Sequence, residues 1–211
     1  GSRLFTKAVY DGLGRRTKQY QGYDLDESTY GEADDVTGDT ILEQSETTFD
    51  AASNAIQSTH RQRYHNATGT GELGSPGSTQ PKARVTYSAS WPDPLGRTVV
   101  TANYGTNGGS ALSRPSTAPA RSDTVLVTSL IYDDAGQLAT QKNPAGILTY
   151  HEYDDLGRPT KQVLNWTGAS SSSSSSSSSD CPGSDDTNVT VLTTYNADGN
   201  VASITAVNAT T

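Results

Sequence analysis

Three histidines and one cysteine are the obvious reactive side chains of this chain, and their spacing argues against metal or nucleophile chemistry. His60 and His65 lie in Thr59-His60-Arg61-Gln62-Arg63-Tyr64-His65, where strand alternation places them on opposite faces. His151 stands apart, just before Tyr153. With no H-x-x-x-H and no C-x-x-C, a zinc site is not expected. There is no G-x-S-x-G elbow and no phosphate-cradling glycine loop before a helix. Asp133-Asp134 and Asp154-Asp155 could mimic a glycosidase carboxylate pair. Neighbouring strand residues, however, point to opposite faces, and the first Asp of each pair is needed to open a turn. No catalytic residue, metal ligand or cofactor is assigned.

Binding chemistry has more to work with. Residues 24–39 carry Asp24, Asp26, Glu27, Glu32, Asp34, Asp35 and Asp39, oxygen ligands of the kind Ca²⁺ takes. Their spacing departs from the D-x-[DN]-x-[DN]-G pattern, so a solvated acidic loop is the expectation and a Ca²⁺ site the rival. Asn66, Asn165, Asn188 and Asn208 each open an N-x-T sequon, candidate glycan acceptors if the chain is exported through a glycosylating pathway. Trp91 and Trp166 fall in segments that read as irregular and are the candidates for stacking on a sugar, which makes carbohydrate a candidate partner. Cys181 cannot form an internal disulfide; it reads as a bystander thiol or as a link to another chain.

The elements that must position these residues are set by a recurring motif. Tyr132-Asp133-Asp134-Ala135-Gly136-Gln137 and Tyr153-Asp154-Asp155-Leu156-Gly157-Arg158 lie about 21 positions apart. Tyr10-Asp11-Gly12-Leu13-Gly14-Arg15 has the same form. Looser copies are Phe49-Asp50-Ala51-Ala52-Ser53-Asn54 and Tyr195-Asn196-Ala197-Asp198-Gly199-Asn200. A distorted one runs from Tyr87 to Leu95-Gly96-Arg97. Each predicts a hairpin: an aromatic ends a strand and Asp or Asn opens the turn through its side chain. Gly, or Asn in the weaker copies, supplies φ > 0. The recurring aromatics could stack on one another across strands. After the last turn a period of two puts Val201, Ser203, Thr205 and Val207 on one face.

At these residues the chain resembles the YD-repeat, or Rhs-repeat, family, which includes bacterial toxin shells and the teneurins. The resemblance is clearest at residues 8–18 and 130–163, where Asn143-Pro144-Ala145-Gly146 adds a second glycine turn, and extends to 47–58 and 193–207. It implies an all-β chain of tandem antiparallel hairpins forming a ribbon or solenoid, a scaffold in place of a catalyst.

Around the motif the chain divides into hairpins over 1–64, with the acidic insertion at 23–40, then a Gly/Ser/Pro loop over 65–82. Hairpins resume over 83–164, with a loop at 104–122. A poly-Ser insertion spans 165–187 and a last hairpin 188–211. Partial helical spacing makes a helix the rival over Asp50–Thr59, and Asp123–Tyr132 reads as the best-buried strand. Only 32% of residues are hydrophobic, with 11 Tyr against 2 Phe, which suits a sheet with a wet face over a thick core. A formal charge of −8 argues against nucleic acid, and no apolar run is long enough to span a membrane. The chain starts Gly1-Ser2-Arg3 without Met, as an excised piece or a cloning scar would. The functional expectation is a non-enzymatic structural segment of an extracellular fibre or filament, or of a larger cell-surface assembly, whose partners are itself or flanking repeats. A wall fragment of a toxin cocoon and a carbohydrate-binding module are the alternatives.

Overall fold

The computed structural model describes residues 3–24, 28–75, 80–167 and 187–207. Cys181, Asn208 and the serine run therefore lie outside the described residues. The chain is all-β and antiparallel, and it falls into two units, Gly1–Val127 and Thr128–Thr211.

The first unit holds β1 (Arg3–Tyr10), β2 (Arg16–Asp24), β3 (Thr40–Phe49), β4 (Ala55–Arg63), β5 (Ala83–Pro92) and β6 (Thr98–Gly105), and each strand from β1 to β5 pairs with the one that follows it. Ala55–Thr59 is thus strand and not helix, because β4 pairs on one side with β3 and on the other with β5. Gly22 permits the closest approach of β2 to β3: a Cβ there would stand 2.5 Å from the Thr40 carbonyl oxygen. The acidic insertion contributes a short helix, α1 (Tyr30–Asp34), closed by a Thr29–Glu32 capping box.

The long connections serve as the second layer of this unit. Residues 64–75 lay Leu73 against Tyr20 and Ile41, with Phe5, Val36 and Ala83 around them. Polar groups fix it there. Leu73 N–H donates to Gln44 Oε1 at 2.8 Å, and Lys18 and the Tyr20 hydroxyl both reach Glu72 Oε1, at 2.7 and 2.5 Å. The 106–125 segment brings Leu112 and Val125 onto Val85, Tyr87, Ala89, Trp91, Ala102 and Tyr104. Trp91 is a β5 residue and only 7% exposed, not part of an irregular segment. Its Nε1–H donates to the Pro115 carbonyl at 3.3 Å, and the Arg114 guanidinium lies 4.7 Å above its ring.

In the second unit β7 (Leu126–Tyr132), which begins at the close of the first, is followed by β8 (Leu138–Lys142), β9 (Leu148–Tyr153), β10 (Pro159–Leu164), β11 (Val189–Tyr195) and β12 (Val201–Val207). These pair in the same sequential way. β7 is not the best-buried strand: Ile131 is 61% exposed, while β5 holds that place. The apolar run of β7 could not reveal which strand a folded-back connection would cover.

Candidate functional site

The feature most often repeated is the turn, and its geometry is the same at seven positions. The first residue's N–H bonds the fifth residue's carbonyl, and the fourth residue's N–H returns to the first residue's carbonyl. These pairs are Asp11/Arg15, Asp50/Asn54, Asp93/Arg97, Asp133/Gln137, Asn143/Ile147, Asp154/Arg158 and Asn196/Asn200. In each, the first side chain also accepts the fifth residue's N–H through Oδ1 at 2.7–3.0 Å. The fourth residue has positive φ: Gly14, Gly96, Gly136, Gly146, Gly157 and Gly199, and Ser53 in the second turn. There the left-handed position falls to Ser53, not to Asn54, which instead takes the arginine's place. This is a type I turn followed by a glycine bulge.

The third copy is regular once aligned on Asp93. Pro92 replaces the aromatic, and Tyr87 lies inside β5 as a core residue with no part in the turn. A further register shift accompanies the last turn. Tyr195 pairs with Val201 but Thr194 with Ser203, so Val201 and Ser203 lie on opposite faces, against simple alternation. The Thr194 and Ser203 hydroxyls, 2.7 Å apart, share one face.

Arginine at the fifth position has two tasks. Its Nε donates to the turn's own Asp Oδ2 at 2.7 Å in Arg15–Asp11, Arg97–Asp93 and Arg158–Asp154. So held, the guanidinium covers the next turn's aromatic: Arg15 over Phe49 at 4.7 Å and Arg158 over Tyr195 at 4.3 Å. Arg15 Nη1 also donates to the Asp50 carbonyl and the Ser53 hydroxyl. The aromatic answers where it is a tyrosine. Tyr153 donates to the Leu138 carbonyl at 3.0 Å and Tyr195 to the Pro159 carbonyl at 2.9 Å, in each case the residue after the fifth position of the preceding Asp-opened turn. An Arg–aromatic ladder thus stands where direct aromatic stacking was expected. The carboxylates are held below their usual range by these bonds: the Arg15 N–H for Asp11, the Arg158 side chain for Asp154 and the Asn54 side chain for Asp50. For Asp93 burial pushes upward, and the Arg97 bonds outweigh it.

The other candidate sites are less well placed. In the acidic segment Lys7 Nζ donates to the carbonyls of Glu32 and Asp35 and to Asp39 Oδ2, at 3.1, 2.7 and 2.8 Å. An ammonium therefore sits among the oxygens that would have offered themselves to Ca²⁺. Among the described residues no group of three or more His, Cys, Asp and Glu comes together. His60 bonds Ser45 within the sheet, His65 lies beyond β4, and His151 stacks on Tyr153 with burial lowering its pKa. Trp166 stacks on Tyr150 at 4.9 Å, so both tryptophans have a ring face already covered. Asn188 is 9% exposed and its amide donates to Thr167 Oγ1, which also belongs to the Asn165 sequon. That pairing sets Asn188 against a role as glycan acceptor; Asn66 is exposed.

The chain is similar, at 12% identity, to a chain of the Photorhabdus luminescens Tc holotoxin pore carrying the TccC3-D651A mutation, over 99% of this chain and 10% of that one, with a TM-score of 0.37. A chain of the TcdB2-TccC3-Cdc42 crystal structure gives 13% identity, 99% and 11% coverage and a TM-score of 0.37. This chain thus spans about a tenth of the length of the solved chains it matches. No curated protein matches it. The RHS Repeat family model matches residues 132–170, the segment built on the Tyr132 and Tyr153 turns.

Proposed function

We infer that the chain is a non-enzymatic structural panel, a length of repeat β-sheet within a larger secreted or cell-surface assembly. The observation that carries this reading is the turn ladder, in which hairpins are bonded to their neighbours through Arg and Tyr, together with outer strands left bare. β1 pairs only with β2, and β12 only with β11, among the described residues. Leu4 on β1 and Ile204 on β12 are 81% and 69% exposed. Long apolar edges of this kind are templates for further strands. Electron microscopy of the native assembly tests the reading: hollow particles or extended rods support a panel, and an isolated globular monomer in native material would sink it.

Polymerisation of identical copies into an extracellular filament is the second reading, favoured by the uncharged β12 sequence Val201–Val207. Sugar binding loses its main support once Trp91 is buried and Trp166 stacked.

A further inference from the structure

Among the described residues Tyr10 is the most exposed of the motif aromatics, at 60%, whereas Phe49, Tyr132, Tyr153 and Tyr195 are all half-buried. Around Phe49 and Tyr195 the missing environment can be read directly: an arginine from the preceding turn lies over the ring. The carbonyl after the preceding turn's fifth residue takes the hydroxyl proton of Tyr153 and Tyr195. The long fifth residues of one turn precede the aromatics that lead into the next. Arg15 precedes Phe49, Gln137 precedes Tyr153 and Arg158 precedes Tyr195, while the short Asn54, tied to Asp50, precedes Pro92.

The β1 edge is also undefended. An inward-turned lysine commonly guards an edge strand against pairing. Here Lys7 is the charge at the middle of β1, and its ammonium is spent on Asp39 and two carbonyls. Leu4 and Val9 remain exposed beside Tyr10.

We propose that the β1 edge docks a β-hairpin whose turn carries arginine at the fifth position, the guanidinium covering Tyr10 and the next carbonyl accepting the Tyr10 hydroxyl. The incoming strand runs antiparallel to β1 as β10 does to β11. The occupant is an arginine-bearing hairpin of the same repeat type, supplied by a partner segment. It is not the β12 end of a second copy, because that end offers Asn200, the residue type this chain places before Pro92 and not before an aromatic. This rests on the panel reading and narrows it, since it disfavours a filament of identical copies.

The test uses the whole chain and two synthetic peptides of residues 148–164, one with Arg158→Ala. The arginine peptide is expected to protect β1 amides from hydrogen exchange and to shift the Tyr10 ring signals. The alanine peptide should bind roughly three- to fivefold more weakly, and a Tyr10→Ala chain should bind both alike. Joining either peptide ahead of β1 by a flexible linker raises its effective concentration to about millimolar, so weak free binding does not mask the difference. Equal binding of both peptides to the unaltered chain overturns the arginine assignment and leaves the panel reading standing. No β1 protection by either, joined or free, removes both. Sedimentation should show the chain alone as a monomer; self-association that protects β1 and β12 together would give the edge to a second copy and overturn the proposal.

Discussion

Strand β5 in the first unit and strand β12 in the second both mix apolar with small polar residues, yet their fates differ. β5 buries Val85, Tyr87, Ala89 and Trp91, whereas β12 leaves Val201 and Ile204 more than half exposed. Both strands belong to the same kind of hairpin with the same bulge. The difference comes from the connections. In the first unit two long segments fold back and supply Leu73, Leu112 and Val125 as a second layer. In the second, the β8–β9 link is the five-residue turn from Asn143 to Ile147, and both core clusters among the described residues lie in the first unit. Hairpin formation and core formation are thus separable in this chain: the turns build the sheet, and inserted sequence thickens it.

The sharpest way to break the comparison is Trp91→Ala. It removes the ring held between Arg114, Pro115 and the β6 side chains and should cost about 3 kcal/mol. Loss of hydrogen-exchange protection in β5 and β6 with β9 and β10 unchanged would show that the thick layer is local. Equal loss in β9 and β10 would refute that. Next in size is Gly157→Ala, which forces a side chain into φ +78 with its Cβ 2.9 Å from Gln137 Nε2. It should destabilise the Asp154 hairpin by roughly 1–2 kcal/mol, read from denaturant midpoints. Ser53→Gly is the converse, relieving a non-glycine at φ 69, and should stabilise the chain by about 0.5–1 kcal/mol in the same measurement. No gain would mean that the Arg15 bond to the Ser53 hydroxyl offsets the strain.

The smallest effect per turn is acid sensitivity. Asp11, Asp50, Asp93 and Asp154 are held below the ordinary value of 3.8 by the bonds that fold their turns. Their contribution is therefore present above about pH 3.8 and is lost as pH falls through the lower folded values. The turns opened by Asn143 and Asn196 have no such proton to take up. Acid titration followed by amide NMR should loosen the turns at Asp11, Asp50, Asp93 and Asp154 before those at Asn143 and Asn196; simultaneous loosening of the Asn turns would count against carboxylate control.

The sheet was legible in the sequence because its information is local. Aromatic, Asp and Gly at fixed offsets set each turn, and residues 132–170, which the RHS Repeat model matches, are where that pattern is purest. Legibility failed where a residue changed place within the motif. Pro92 displaced the aromatic, so Tyr87 drew attention away from Asp93, and Ser53 took a conformation its type rarely adopts. It failed again where partners are distant in sequence. Leu73 and Leu112 are isolated apolar residues in stretches without period, and Lys7 lies far from the carbonyls it binds. The Arg–aromatic ladder had its parts in plain view, but strand order decides which side chain covers which.

In an antiparallel meander successive connections alternate between the two ends of the strands. Within each unit the turns that follow the motif's aromatic position therefore share one rim: those opened at 11, 50 and 93 in the first, and at 133, 154 and 196 in the second. The insertions fall on the other rim. One residue gained on the first rim would shift a strand's register and turn its side chains to the wrong face. On the second, doubling a loop's length costs only about 0.6 kcal/mol. Evolution therefore meets a chain with one constrained margin and one permissive margin, where new sequence can be acquired and tried without rewriting the sheet that carries it.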